Sequence, residues 1–378
     1  MSKEGDIKLV DKGLLYYNRQ PQFQSVHAYF PFIEQLTTDE MICFYSRGSA
    51  MASADKVVGK SRSTDGGRTW KEEGTVWDPA RDDKKYCYYH GAPAMLRDGR
   101  LTAVMTRFDR SDPDELMWDP VTSGYPYPDI VTCRSEDKGL TWSRPQVVPL
   151  PQGLIGNHSG TILELDNGEL LLTLETWKHS SDTRPPVQRS LGLFSKDGGK
   201  SWGDLVSVAD GSSEGIYYFD QRLALMGKGS IMALLWTFRP ADNKTLPVHI
   251  TVSHDSGKTW SDPVPTNIDD GFISYPVYLG GSKVMAAYTS RYGKVPGIYA
   301  VMSHDGGFSW DIQDRLLLYD ATGKTSTGIR EGESELQSMM GYAFGMPQAL
   351  LLQDGDIMVS YWCTEGCITH IQWCRVAL

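Results

Sequence analysis

The chain places an arginine or a glutamate at six comparable positions: Arg47, Arg107, Glu175, Arg239, Arg291 and Glu365. Each follows a tight-turn signal by a similar distance, which predicts the end of a strand leaving that turn. Arginine stays protonated and grips a carboxylate through a planar fork. Four arginines on one axis would suit an anionic ligand group. Local partners such as Asp109, Glu175 and Asp220 offer the alternative, a set of separate ion pairs. A second set lies at a constant distance before the turn glycines: His90, Ser159, Asp220, Phe272 and Met346, with His158 beside Ser159. Asp220 and Glu175 make a candidate acid/base pair, in which one carboxyl group protonates a leaving oxygen while the other attacks or activates water. Their alternative role is that of arginine counter-ions. His27, His90 and His158 fall at the starts of three successive first strands. They are candidates for proton transfer or substrate contact, with structural hydrogen bonding as the other reading and a metal site as a minor one.

The elements that must position these residues follow from a repeat. Ser63-Thr-Asp65-Gly-Gly67-Arg-Thr-Trp70 reads S-x-D-x-G-x-[TS]-W, and it returns with Asp137, Asp197, Asp255 and Asp305. Intervals of about 50–70 residues mark an array of similar supersecondary units. Each copy makes sense as a turn: the Asp folds onto backbone N–H groups of its own loop, the Gly takes positive φ, and the Trp packs between units. Between the copies run apolar strands joined by Arg97-Asp98-Gly99, Asp166-Asn167-Gly168, Lys228-Gly229, Gly280-Gly281 and Asp354-Gly355. These are read as two-residue hairpins. Thr38-Asp39-Glu40 is the counterpart in the first unit. Six hairpins against five boxes leave the last unit one strand short, and the run from Ile7 to Tyr16 is spare. Pairing of the two would close a ring and remove its exposed edges. The expectation is an all-β, six-bladed β-propeller over residues 1–378 as one domain, closed by N- and C-terminal strands in one blade. Long connections over 109–129, 177–189 and 320–342 fall on one face and carry Trp118, Tyr125, Tyr127 and Tyr342. Loops gathered on one face of a rigid scaffold commonly carry function.

The repeated motif resembles the Asp box of the sialidase superfamily, whose members are six-bladed propellers, and the resemblance covers nearly the whole chain. In that family three arginines hold the substrate carboxylate; Arg239 and Arg291 look like two of them. The stretch similar to the family's Arg-Ile-Pro is Tyr29-Phe30-Pro31 here, without the arginine. Asp220 stands where the family has the Glu that assists its nucleophile. Met346 stands where it has the nucleophilic Tyr, with Tyr342 four residues earlier. The loop that carries the family's acid/base Asp offers Asp55, Asp78, Asp82 and Asp83. The resemblance implies an exo-acting glycoside hydrolase rather than a true sialidase, acting on an acidic or highly hydroxylated sugar. The catalytic candidates are Asp220, Glu175, His90 and His158. The substrate-binding candidates are Arg47, Arg107, Arg239, Arg291, Tyr29, His27, Trp118, Tyr342 and Glu365. A polysaccharide lyase using His and Tyr on a uronate, and a sugar-binding propeller without turnover, are the alternatives.

Bulk properties narrow the partners. The 378 residues carry a formal net charge of −10 and 40% hydrophobic residues. No basic stripe appears, which argues against nucleic acid. No apolar run approaches the length of a membrane span, and Met1-Ser-Lys-Glu-Gly-Asp lacks an apolar signal core, so a cytoplasmic protein is expected. Cys43 and Cys133 read as core thiols. Cys363 and Cys367 are four apart without a further Cys/His pair of zinc spacing, so reduced thiols and no metal or cofactor are expected.

Overall fold

The computed structural model describes residues 7–112, 114–292, 294–324 and 343–378. Strand β1 (Lys8–Tyr16) comes first in the chain but belongs to the last blade. Blade one is β2 (His27–Gln35), β3 (Met41–Gly48), β4 (Val57–Ser63) and β5 (Lys71–Thr75). Blade two is β6 (Tyr86–Met95), β7 (Leu101–Asp109), β8 (Pro128–Ser135) and β9 (Gln146–Val147). Blade three is β10 (Ile155–Glu164), β11 (Leu170–Trp177), β12 (Ser190–Ser195) and β13 (Gly203–Ala209). Blade four holds β14 (Tyr217–Gly227), β15 (Ser230–Arg239), β17 (His249–Ser253) and β18 (Val264–Pro265), with the short β16 (Lys244–Thr245) also paired to β15. Blade five is β19 (Gly271–Gly280), β20 (Lys283–Ser290), β21 (Gly297–Ser303) and β22 (Leu316–Asp320). Blade six is β23 (Phe344–Leu351), β24 (Ile357–Glu365) and β25 (Ile368–Ala377), completed by β1 antiparallel to β25 from Lys8 opposite Ala377 to Tyr16 opposite Ile371. The fold is therefore an all-β six-bladed propeller with N- and C-terminal strands in one blade, as expected.

The turns follow their chemistry, with one correction. Three of the glycine hairpins have three-residue loops rather than two. Leu96 N bonds Arg100 O while Gly99 N bonds Leu96 O, and the pattern repeats from Leu165 and Leu352. Gly99 takes φ 84°, the left-handed position of a type I turn followed by a bulge. Of the five, Lys228-Gly229 and Gly281-Ser282 are the two-residue connections. The five Trp-ending motifs form one hydrogen-bonded design. In the first, Ser63 Oγ donates to Asp65 Oδ1 at 2.8 Å, Thr69 N donates to the same oxygen at 2.9 Å, and Thr69 Oγ1 donates to Oδ2 at 2.6 Å. Gly67 N donates to Ser63 Oγ at 2.9 Å. A Cβ at Gly67 would lie 2.5 Å from Met358 of blade six, and one at Gly139 would lie 2.6 Å from Ile42 of blade one. In these two boxes the motif glycine thus lets the turn pack on the preceding blade, in addition to the plug made by the Trp.

Burial lies between blades. Six apolar clusters each join one pair of neighbours, for example Ile42 and Phe44 of β3 with Tyr88 and Ala103 of blade two. Others join blades six and one through Tyr16, Tyr45 and Trp362, or three and four through Leu171, Phe194 and Leu235. A second regularity matters for the site. All six innermost strands break register at the same level, among them Tyr29/Phe32 in β2, Phe219/Arg222 in β14 and Gly345/Gln348 in β23. The extra residue bends the strand and turns a side chain toward the axis. In three of these bulges a non-glycine residue takes left-handed φ: Phe30 (57°), Asp220 (47°) and Met346 (47°). Such conformations cost on the order of 1–3 kcal/mol each and gather at functional sites.

Candidate active site

The bulges surround an axial cavity of about 140 Å³, comparable to the space that holds one six-membered ring. Phe30, Asp220 and Met346 all line it. Its walls are largely aromatic: Tyr89, Tyr125, Trp177, Phe219, Trp236 and Trp362. Trp177 and Tyr125 stack at 3.9 Å with their planes 15° apart, which joins the end of β11 to the long loop of blade two. A smaller pocket of about 60 Å³ shares Tyr125, Trp177 and Phe219 with the axial cavity, and there Trp118 contributes with Tyr217 and Pro186. Tyr127 lies farther out, exposed and stacked on His179 at 4.0 Å.

Two acids face the cavity, and they touch. Glu175 is 5% exposed. Its Oε2 accepts from the backbone N of Asp220 at 3.0 Å, and its Oε1 accepts from Trp177 Nε1 at 3.0 Å and from Asn157 Nδ2 at 3.4 Å. Burial, followed by the Asp220 charge, outweighs these donors and pushes the Glu175 carboxyl up to about 7. Asp220 is also pushed up by burial, against the pull of Arg222 and Arg291. Arg222 Nη2 lies 3.3 Å from Asp220 Oδ1, and its Nη1 donates to the carbonyls of Ser159 and Gln221. Burial thus biases both carboxyls toward the protonated form, and on Asp220 the Arg222 and Arg291 charges pull against that bias. None of the four loop acids lines this cavity. Asp55 accepts from Ser49, Asp78 caps a short 3-10 turn, Asp82 accepts from Trp77 and Tyr88, and Asp83 pairs with Arg144.

The four arginines do not converge. Only Arg291 reaches the cavity, with its guanidinium 4.8 Å from the Phe272 ring and Nη2 donating to Phe344 O at 3.4 Å. Arg47 pairs with Glu72 instead. Arg107 pairs with Asp129 at 3.0 Å and Asp82 at 3.8 Å and stacks on Tyr86. Arg239 pairs with Asp242 at 2.6 Å in solvent. The second strands run on past the cavity toward solvent, so their last residues overshoot it. The positions facing the axis are Glu175, Trp236 and Trp362, the last two lying three residues before Arg239 and Glu365. Glu365 sits in a different groove with Tyr319 and Lys324.

The histidines divide. His90 and His158 line the cavity, with rings stacked at 4.0 Å. His90 Nε2 contacts Asn157 Oδ1 at 2.9 Å and His158 Nδ1 contacts Gly160 O at 2.9 Å. Burial and the neighbouring His158 hold His90 well below the usual imidazole range, and burial brings His158 down to about 4. Both are neutral at pH 7, contrary to the expectation of titration near neutrality. His27 is elsewhere, between Ser25 Oγ and Thr369 Oγ1. Tyr29 lies behind the wall, edge-on to Trp362 at 5.3 Å. Tyr342 lies outside the described residues. Sequence reasoning missed Asn157, Arg222 and the tryptophans of the wall as site residues. Arg222 had a signal, since it follows Asp220 across the bulge; Asn157 had none beyond adjacency to His158.

No known family pattern matches the chain, and no curated protein matches it. Solved structures do. A protein of unknown function from Dyadobacter fermentans aligns with TM-score 0.77 at 18% identity, covering 99% of this chain and 100% of that one. The Hadza microbial sialidase Hz136 aligns with TM-score 0.67 at 17% identity, over 92% of this chain and 65% of that one. A Penicillium chrysogenum alpha-L-arabinanase complexed with arabinobiose aligns with TM-score 0.61 at 13% identity, over 97% and 98%. At these identities the likeness is one of fold.

Proposed function

We propose that the protein is an exo-acting glycoside hydrolase that takes one acidic or highly hydroxylated sugar ring into the axial cavity. The observation that carries this reading is two buried acids side by side at the cavity, Glu175 Oε2 accepting from the backbone N of Asp220, with burial pushing the Glu175 carboxyl up to about 7 and Arg222 and Arg291 pulling Asp220 the other way. Glu175 acts as general acid toward the leaving oxygen, and Asp220 attacks the anomeric carbon or activates water. Trp177, Trp236 and Trp362 offer faces for the apolar side of a sugar. Ser159 Oγ, His158 Nε2 and His90 Nδ1 are buried without a protein partner, and these cavity-lining residues suit ligand hydroxyl groups. Arg291 is the cation for an acidic substituent. That sialidases and an arabinanase share the fold is consistent with this chemistry, though fold alone does not assign it.

A lyase finds little support, because imidazoles held so far below neutrality are weak bases. A sugar-binding propeller without turnover draws on one observation: Met346 occupies a bulge that turns toward the cavity and offers no nucleophile. Chromogenic glycosides of neutral and acidic monosaccharides separate the two. Release by the parent protein that is lost in both Glu175→Gln and Asp220→Asn supports hydrolysis. Saturable quenching of tryptophan fluorescence by sugars, with no release from any glycoside, overturns it in favour of binding.

A further inference from the structure

The outer end of the last hairpin brings together three unlike donors away from the axial cavity. Cys363 and Glu365 lie on β24, and His370 on β25 pairs with Cys363 across the ladder. Cys363 Sγ is 3.4 Å from His370 Nε2, and that nitrogen is 3.6 Å from Glu365 Oε2. The three donor atoms all lie within 4.8 Å of one another. A zinc ion about 2.3 Å from sulfur and about 2.0 Å from nitrogen or oxygen, at tetrahedral angles, needs neighbouring ligand atoms roughly 3.3–3.6 Å apart. Both measured edges fit.

The orientation of the atoms points the same way. Tyr361 Oη donates to Gln372 Oε1 at 2.8 Å, which turns the amide nitrogen toward His370 Nε2 at 3.1 Å. That ring nitrogen therefore presents a lone pair. On Glu365, Oε1 is taken by Tyr319 Oη at 3.1 Å and Lys324 Nζ at 3.3 Å, while Oε2 faces the imidazole. Sulfur, imidazole nitrogen and carboxylate oxygen thus direct acceptors at one point, with partners already fixing the carboxylate from behind. Glu365 also lines a groove of about 510 Å³ along the junction of blades five and six, together with Tyr319, Tyr361 and Gln372, so one of the three donors borders open space.

We propose that Cys363, Glu365 and His370 form a binding site for a divalent cation of the zinc type. The sulfur and imidazole select against magnesium and calcium, which take oxygen ligands. Binding displaces the Gln372 amide from His370 and releases the thiol proton of Cys363 to solvent, so affinity rises with pH. The pairing along the chain misses this site because His370 reaches Cys363 only across the β24–β25 ladder.

Titration of the metal-free full-length protein with Co²⁺ tests it. The expected result is one equivalent bound, with a near-ultraviolet thiolate-to-cobalt band and the strong visible bands of a tetrahedral ion, both removed by Zn²⁺. Cys363→Ser should abolish the thiolate band and His370→Asn should weaken binding at least tenfold, whereas Cys367→Ser, at the exposed neighbour, should change neither. A parent protein with no thiolate band, or a band that survives Cys363→Ser, overturns the proposal. If either variant fails to fold, the parent's band and stoichiometry still decide.

Discussion

Replacing Glu175 by glutamine removes a buried carboxyl whose titration is displaced upward by burial. In the unfolded chain this carboxyl titrates near 4.5, and in the folded protein near 7. Below the lower value both states hold the proton, and the group contributes nothing to pH dependence. Between the two values the unfolded chain releases its proton while the folded one keeps it, so stability falls as pH rises. Above about pH 7 the full penalty is present, about 3 kcal/mol. An unfolding entropy of about 0.8 kcal/mol/K for a chain of 378 residues converts this to about 4 °C in melting temperature. Glutamine is neutral throughout, so the penalty disappears. Its amide nitrogen must face one of the three donors now on the carboxylate, which costs about 1–3 kcal/mol at every pH and does not alter the slope. Thermal unfolding at about pH 4.5 and pH 8 should therefore show a parent that loses roughly 4 °C more than the variant over that interval. Turnover of a responsive glycoside should fall by about 10²- to 10⁴-fold at all pH values. Equal slopes in the two proteins would refute the account of a buried carboxyl held protonated beside Asp220.

Asp220→Asn should lower turnover by a similar ~10²- to 10⁴-fold, while Arg222 keeps the Ser159 and Gln221 carbonyls and holds the loss of stability below the ~3–5 kcal/mol of a stranded buried charge. Full activity with a lowered melting temperature would reduce Asp220 to a counter-ion. Arg291→Ala should raise KM for an acidic glycoside at least tenfold, and Arg239→Ala should leave both KM and melting temperature unchanged; equal effects would restore the idea of converging arginines. Asp65→Ala should cost about 1–2 kcal/mol without touching activity, measured by urea unfolding. Slight burial of Asp65 is outweighed by its bonds from Thr69 and Ser63, which bring it down to about 2. Its contribution is present above the usual aspartate value and is lost as pH falls through about 2.

The propeller was legible because its signals are local. Ser63, Asp65, Gly67 and Trp70 carry out their roles within one loop, and turn glycines such as Gly99 declare left-handed backbone. The acid pair was also legible, since Asp220 is anchored by Gly229 and Glu175 by Gly168 through short hairpins. What failed was the level at which each second strand meets the axis. Arg239 and Glu365 lie past the cavity while Trp236 and Trp362 face it, because the strands differ in how far they continue toward solvent. Ion pairing was equally hidden. Asp82 and Asp129 meet Arg107 through a loop and the β7–β8 ladder, and no spacing along the chain announces such partners.

Closure of the ring has a kinetic consequence. Lys8 and Ala377, near opposite ends of the chain, are neighbours in blade six. Contacts of such sequence separation form slowly, because the loop must be closed before the pairing returns any free energy. Met346 and Trp362, two walls of the cavity, come from that same blade. The axial cavity is therefore expected to be completed late, since a ring still open at blade six lacks these two walls. Recovery of ligand binding during refolding should lag behind recovery of strand signal, with mutations at the β1–β25 seam lengthening the lag.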